Sequence, residues 1–539
     1  MSDLTAVPAV AAGGLAVHGA DAVDGATRLR EELVGRGVPA RLATEEPSPR
    51  GPDVEPTAGP RPGWRDAHRR SRELLPQLAE LAAELEDLDH VVLAGTDGAA
   101  QAAEAIARTL GRPLTVLDST DPGRVRAVLA DRLERTVVVL VGTSDATVET
   151  DSHRRAYRQA FLDAGMGEAE AARHFVVVTD PGSPLEAVAD EMGVVVLPAD
   201  PEVAGRVPAL TAFGLVPAAL AGAEVTALLD DAEAFSASLG HDTDNPALAL
   251  GAALGAAATG GRGTIALVGD GTGLDGLGDW VARLLVGATG GAVLPVVVET
   301  PAAPGVTGPD VLTVSYGGAL AAGAVPGGGC EPHLAVNGPL GAHFLAWEYA
   351  AAIATTVLGV DHVDRPDVAA STEHTRRILE SGPPAQAPST TEGAIEVYAP
   401  PGAPADLDGA LRHLLDGVDD AGHLAVTAYL DPVADADAAR LRPLLAGALR
   451  RPVTFGWGAA GQHHRAGRPA GSYLQLTGAA DGDLPVPGRP YSFGQLQAAQ
   501  AAGDRQALAD RGRPVLWLHL TDRAAGLAQL RDAIGRWRA

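Results

Sequence analysis

The residues best suited to chemistry lie in four loops, each following a short apolar run. GTDGAAQAAE (95–104) carries Asp97. TSDATVETDSH (143–153) sets Thr143, Ser144, Thr147 and Thr150 just ahead of a helical pattern. Hydroxyls and free amides at a helix N-terminus suit a phosphate group, and the same residues serve equally as N-caps. Asp97 and Asp145 add negative charge where a dianion would sit. The third loop, DPEVAGRVPALTAFGLVPAALAG (200–222), brings Arg206, a cation able to steady an anionic intermediate or to pair at a surface, and Pro208 reads as a first-turn proline of the next helix. The fourth, GDGTGLDGLGDW (269–280), is glycine-rich, which suits tight turns and close backbone approach.

Histidines and carboxylates outside these loops give weaker signals. His463 and His464 in GQHHRAG titrate near neutral pH, but no carboxylate partner is in view. His343 and Glu348 lie five residues apart on one helical stretch, about 140° around its axis, so they need not share a face. No HExxH, CxxC or DxDxG set occurs, so no metal site is expected.

The elements that must position these loops alternate regularly. HVVLAG (90–95), TVVVLVG (136–142), HFVVVTD (174–180) and GVVVLPAD (193–200) are continuous apolar strands with helical segments between them. That pattern specifies a parallel sheet covered on both faces. It restarts after residue 246 with GTIALVGD, AVLPVVVE and VLTVSYGG, followed by a long helix from about Pro339 to Val360. AIEVYAP, LAVTAYL, PVTFGWG and VLWLHL supply strands for a smaller α/β tail. The expected organisation is an N-terminal segment with a Pro-rich linker (1–63), two α/β sandwiches (64–235 and 236–385) and a C-terminal α/β segment (386–539). Ligand loops belong at the carboxyl ends of the strands, so 143–150, 204–208 and 270–276 should converge on a cleft between the sandwiches.

Composition narrows the partners. The 539 residues carry 41 basic side chains, all arginine, against 68 acidic ones, a formal charge of −27. Such a field disfavours nucleic acid and anionic membrane. One cysteine, Cys330, excludes an intrachain disulfide framework. The N-terminal stretch lacks a basic n-region, and no apolar run is long enough to span a bilayer. A soluble cytoplasmic protein is the expectation.

Several stretches resemble the actinobacterial-type glucose-6-phosphate isomerases, which are built from two sugar-isomerase (SIS) α/β domains. They include TVETDSHRRAYRQAFLDAG (147–165), DPEVAGRVPALTAFGLVPAALAG (200–222), GPLGAHFLAWEYAAAIATTVLGVDHVDRPDV (338–368) and LPVPGRPYSFGQLQAAQAAGDRQAL (484–508). The resemblance runs from about residue 65 to the C-terminus. It implies two tandem three-layer SIS domains with parallel sheets and a smaller C-terminal α/β segment. It also implies a cofactor-free aldose–ketose isomerisation of glucose 6-phosphate and fructose 6-phosphate through an enediolate, a place in glycolysis and gluconeogenesis, and a homodimer. By the same resemblance Arg206 steadies the enediolate and Ser144 and Thr147 hold the phosphate. Glu348 is the remaining carboxylate that could act as base.

Other family positions differ in this sequence. The segment that carries the family's Glu base and a Lys reads Gly287–Ala288–Thr289–Gly290–Gly291. The VExxK segment reads Val368 to Thr372, and Arg465 stands in place of a Lys. The first-domain loop reads Asp97–Gly98–Ala99–Ala100, without its serines. A positioned base contributes about 10²–10⁴-fold, and arginine, with a pKa above about 12, does not shuttle protons near neutral pH. Two readings follow: an isomerase, or a non-catalytic relative that binds sugar phosphate or a partner subunit.

Overall fold

A computed structural model describes residues 9–44, 62–95, 98–142, 147–200, 203, 208–320, 331–360, 366–382, 386–420, 422–458 and 471–537. The Pro-rich part of the N-terminal segment expected over 1–63 falls mostly on residues 45–61, which lie outside them. The strands in chain order are β1 (Ala9–Ala12), β2 (Leu15–His18), β3 (His90–Ala94), β4 (Thr115–Leu117), β5 (Thr136–Gly142) and β6 (Phe175–Thr179). They continue with β7 (Val195–Pro198), β8 (Thr264–Gly269), β9 (Leu294–Val298), β10 (Val311–Gly317), β11 (Leu334–Asn337) and β12 (Thr390–Glu392). The last five are β13 (Ile395–Tyr398), β14 (His423–Tyr429), β15 (Val453–Trp457), β16 (Gly471–Gly478) and β17 (Val515–Leu520).

These strands form three sheets. The first has the order β4-β3-β5-β6-β7 and is parallel throughout. Residues of β3 and β6 are all buried, because helices pack on both faces and leave no polar side to the pleat. The second has the order β1-β2-β11-β10-β8-β9, in which β11, β10, β8 and β9 run parallel. The hairpin β1–β2 extends it antiparallel, with Val17 opposite Val336. The third, β12-β13-β17-β16-β14-β15, is parallel from β17 to β15 and antiparallel at β13 and β12.

The fold is thus the expected one: two α/β layers built on mainly parallel sheets, and a third, smaller α/β layer in the tail. The long helix spans Leu340–Leu358 and ends on Gly359 at φ 63°. The short strands β4, β11 and β12 have no counterpart in the sequence reading, and two larger features depart from it. The N-terminal segment is not separate from the second sheet but supplies its edge hairpin, and the tail contains a further strand, β16, at the interior of its sheet.

The chain divides into two compact units. One comprises Met1–Leu117, Arg132–Pro301 and Val311–Val363 and contains the first two sheets; the other comprises Asp118–Asp131, Ala302–Asp310 and Asp364–Ala539 and contains the third. A continuous apolar core joins both sheets of the first unit. At its centre the helix Pro246–Thr259 lies directly on Leu340–Leu358, and glycine is what permits it. A Cβ at Gly251 would stand 2.7 Å from the Ile353 Cβ, and one at Gly255 2.9 Å from Val357 Cγ1. The second unit has its own core, led by Leu424, Leu474, Leu516 and Leu518. Among the described residues no helix is long and apolar enough to cross a membrane.

Candidate functional site

In the first sheet β3 is flanked by β4 and β5, so the chain leaves the carboxyl ends of β3 and β5 in opposite directions. Ligands of open α/β sheets bind in the crevice at such a switch point. The segment after β5 leads to Thr147, which is the N-cap of the helix Val148–Asp163. Its Oγ1 accepts the Thr150 amide at 3.3 Å and lies 3.1 Å from the Thr150 hydroxyl. The carboxylate of Asp151 in the first turn accepts from Arg154 at 2.6 Å and from Arg155 at 2.8 Å, which offsets its charge beside the helix terminus. Ser144, Asp145 and Asp97 lie outside the described residues.

Glu348 sits mid-way along Leu340–Leu358 and is buried. Its Oε1 accepts the backbone N–H of Ala209 at 3.1 Å. The turn around Ala209 is held from other sides too: the Thr211 hydroxyl donates to the Pro208 carbonyl at 2.8 Å and the Ser71 hydroxyl to the Leu210 carbonyl at 2.8 Å. The following helix starts at Ala212, with Thr211 as its N-cap, rather than at Pro208. Arg206 lies outside the described residues, as does the segment 204–207. The arrangement gives Glu348 a job within the scaffold, holding the chain three residues beyond Arg206.

His343, on the same helix, faces elsewhere. Its Nε2 donates to the Gly317 carbonyl at 3.1 Å, and burial lowers its pKa to about 4. There it meets the switch point of the second sheet, where β8 is flanked by β9 and β10. The buried Asp270 carboxylate, just past β8, accepts the Thr272 amide at 2.9 Å and the Thr272 hydroxyl at 2.6 Å through Oδ1. Through Oδ2 it accepts Asn337 Nδ2, at the end of β11, at 2.9 Å. Gly317 must be glycine, since a Cβ there would overlap the Asp270 carboxylate. The glycine-rich loop is explained by its backbone: Gly271, Gly273 and Gly276 have φ of 80°, 85° and 81°.

Of the loops expected to converge, 270–276, residues 147–150 and Pro208 are described, and the rest lie outside the described residues. Gly287, at the position that the resemblance gives to the base, is in the last turn of the helix Leu277–Thr289. Thr372 is exposed on the helix Pro366–Ser381. His463, His464 and Arg465 lie outside the described residues. No group of three or more metal-ligating side chains occurs among the described ones. Sequence reasoning missed Asp270 and Asn337; an aspartate directly after an apolar strand and before a Gly-x-Gly turn was the available signal.

No protein-family model matches the chain. A probable glucose-6-phosphate isomerase of Haloarcula marismortui is 32% identical over 210 residues, 38% of this chain and 48% of that protein. A glucose-6-phosphate isomerase of Thermosynechococcus vestitus is 34% identical over 192 residues, 33% of this chain and 36% of its own. Over those stretches this chain is similar to glucose-6-phosphate isomerases. The matched part spans less than half the length of either relative. Among solved structures, a glucose-6-phosphate isomerase from Chlamydia trachomatis aligns over 69% of this chain and 90% of its own, with a TM-score of 0.56 and 17% identity. That likeness is one of fold.

Proposed function

We propose that this protein binds a sugar phosphate such as glucose 6-phosphate or fructose 6-phosphate at the carboxyl end of the first sheet, and that it does not isomerise it. Thr147, Ser144 and the amides of the following helix supply the phosphate contacts in this reading, with Arg206 as the cation. The observation that carries it is the state of Glu348. The carboxylate left to serve as base is buried and accepts the Ala209 amide at 3.1 Å, while Gly287 offers no side chain and the sequence contains no lysine. Moving a proton between C2 and C1 needs a carboxylate or imidazole within hydrogen-bond reach of the substrate. Holding an anion needs only donors and charge.

The test is a coupled isomerase assay beside a calorimetric titration with fructose 6-phosphate. Binding without turnover is expected, with rates at least about 10²-fold below the roughly 10–10³ s⁻¹ of an ordinary isomerase. Turnover in that ordinary range would restore the isomerase reading and make Glu348 the first candidate for the base. The same reading carries a cytoplasmic homodimer with it, and a monomeric mass by light scattering at micromolar concentration would remove the dimer.

A further inference from the structure

In the second compact unit, Tyr398 on β13, Trp517 on β17 and Gln475 on β16 are register partners across three neighbouring strands. Leu516, Leu518 and Leu520 alternate with Trp517 and His519 along β17. The leucines are fully buried in the core, while Trp517 and His519 stay half-buried on the other face. The helix Phe493–Ala509 meets that face, where Gln475 Nε2 donates to the Ala501 carbonyl at 2.9 Å. This bond fixes the amide of Gln475 with its oxygen turned toward the next turn of the helix. There Arg505 donates Nη1 to Gln475 Oε1 and sets its guanidinium 3.8 Å from the centre of the Trp517 ring. Tyr398 stacks on the same indole, 3.6 Å between centroids and 16° between planes. The indole N–H donates to Thr477 Oγ1 at 2.8 Å, which locks the ring in its plane.

A second partly buried guanidinium in this unit shows how such a charge is ordinarily satisfied. Arg523 reaches Asp121 at 2.7 Å and Asp435 at 3.0 Å, and donates Nε to the Ala479 carbonyl at 2.7 Å. Burial works against the charge of Arg523, yet those carboxylates outweigh it and raise the pKa. Among the described residues Arg505 has no carboxylate at ion-pair distance. Its neighbour Asp504 turns instead to Ser371 and Tyr429. Burial pulls Arg505 down to about 10. Asp504 acts on Arg505 only through space, and a partly desolvated cation with no carboxylate in contact is costly unless an anion arrives. With one N–H on Gln475 and one face on Trp517, the planar fork keeps its remaining donors for an in-plane partner.

We infer that Arg505, held by Gln475 and Trp517, is an oxyanion-binding site that takes the carboxylate or phosphate group of a small ligand. The site is independent of the sugar-phosphate reading, which concerns the first sheet.

The test uses the full chain carrying Arg206→Ala, so that the first-sheet cation does not contribute. Sodium phosphate and sodium malonate are titrated separately, each against sodium chloride at equal ionic strength, by calorimetry and by melting temperature. One or both ions should bind and raise the melting temperature, and the pair of titrations shows whether phosphate or carboxylate is the better match. Arg505→Gln should weaken that binding at least tenfold while its melting temperature in chloride stays near the parent's. Should Arg505→Gln fail to fold, Arg505→Lys keeps the charge without the fork and should weaken binding several-fold. The inference is overturned if neither ion binds the Arg206→Ala chain at up to about 10 mM, an affinity floor near 3 kcal/mol. It is equally overturned if the folded Arg505 variant binds as tightly as its parent.

Discussion

In the first sheet β4 and β5 lie on either side of β3, and in the second β9 and β10 lie on either side of β8. The same winding therefore opens a crevice at two places in one compact unit. At the first, the chain beyond β5 leads to a threonine capping a sixteen-residue helix, with hydroxyls and amides in front. At the second stands the Asp270 carboxylate, bonded to Thr272 and Asn337 and close against Gly317. Topology thus decides where a ligand can approach, and the side chains placed there decide which charge it meets. A buried carboxylate repels phosphate, so the sugar-phosphate reading attaches to the first crevice alone.

The contrast can be tested by breaking each side of it. Gly317→Ala should have the largest effect, since the new methyl overlaps the Asp270 carboxylate; overpacking of this kind costs about 3 kcal/mol. Urea unfolding would read that loss, and a midpoint unchanged from the parent would show that Gly317 and Asp270 are not packed as described. Acid should weaken the same region through His343. Its folded pKa, about 4, lies below the ordinary 6.5, so the unfolded chain binds the extra proton between those values. The stability contributed is full above pH 6.5 and declines as pH falls toward 4, by up to about 3 kcal/mol. His343→Gln keeps a donor for the Gly317 carbonyl and should flatten that part of the pH profile. Asp270→Ala leaves the Thr272 amide and Asn337 Nδ2 without their acceptor and should cost about 1–3 kcal/mol, without altering fructose 6-phosphate affinity. Thr147→Ala is the smallest change in stability, about 1 kcal/mol for a lost N-cap. It should be the one of these four that weakens fructose 6-phosphate binding, and calorimetry showing equal affinities would detach the ligand from the first crevice.

What the sequence revealed follows from burial. β3, β5, β6, β8 and β10 are covered on both faces, so their apolar runs are continuous and need no knowledge of partners. β4 and β11 are three and four residues long, too short for any period to register. β16 carries Ser472, Gln475 and Thr477 through a buried strand, because a helix covers it and accepts from Gln475, and that polar content hid it. Thr147 was legible as a cap from residue type and position. The attachment of Glu348 to Ala209 spans 139 residues and that of Asn337 to Asp270 spans 67. Nothing local announces either: the first joins a helix to a turn far back in the chain, and the second exists only once β8, β10 and β11 have paired within their sheet.

The edge hairpin has a consequence for synthesis. β2 is complete at His18, yet its partner β11 begins only at Leu334. At about 5–20 residues per second, the ribosome needs roughly 15–60 s to deliver that partner. During this interval the first parallel sheet has emerged whole, while the strand that closes the second waits with its amide edge unpaired. A nascent chain halted shortly before residue 334 should accordingly expose Ala9–His18 to a protease, and one released after residue 363 should protect it.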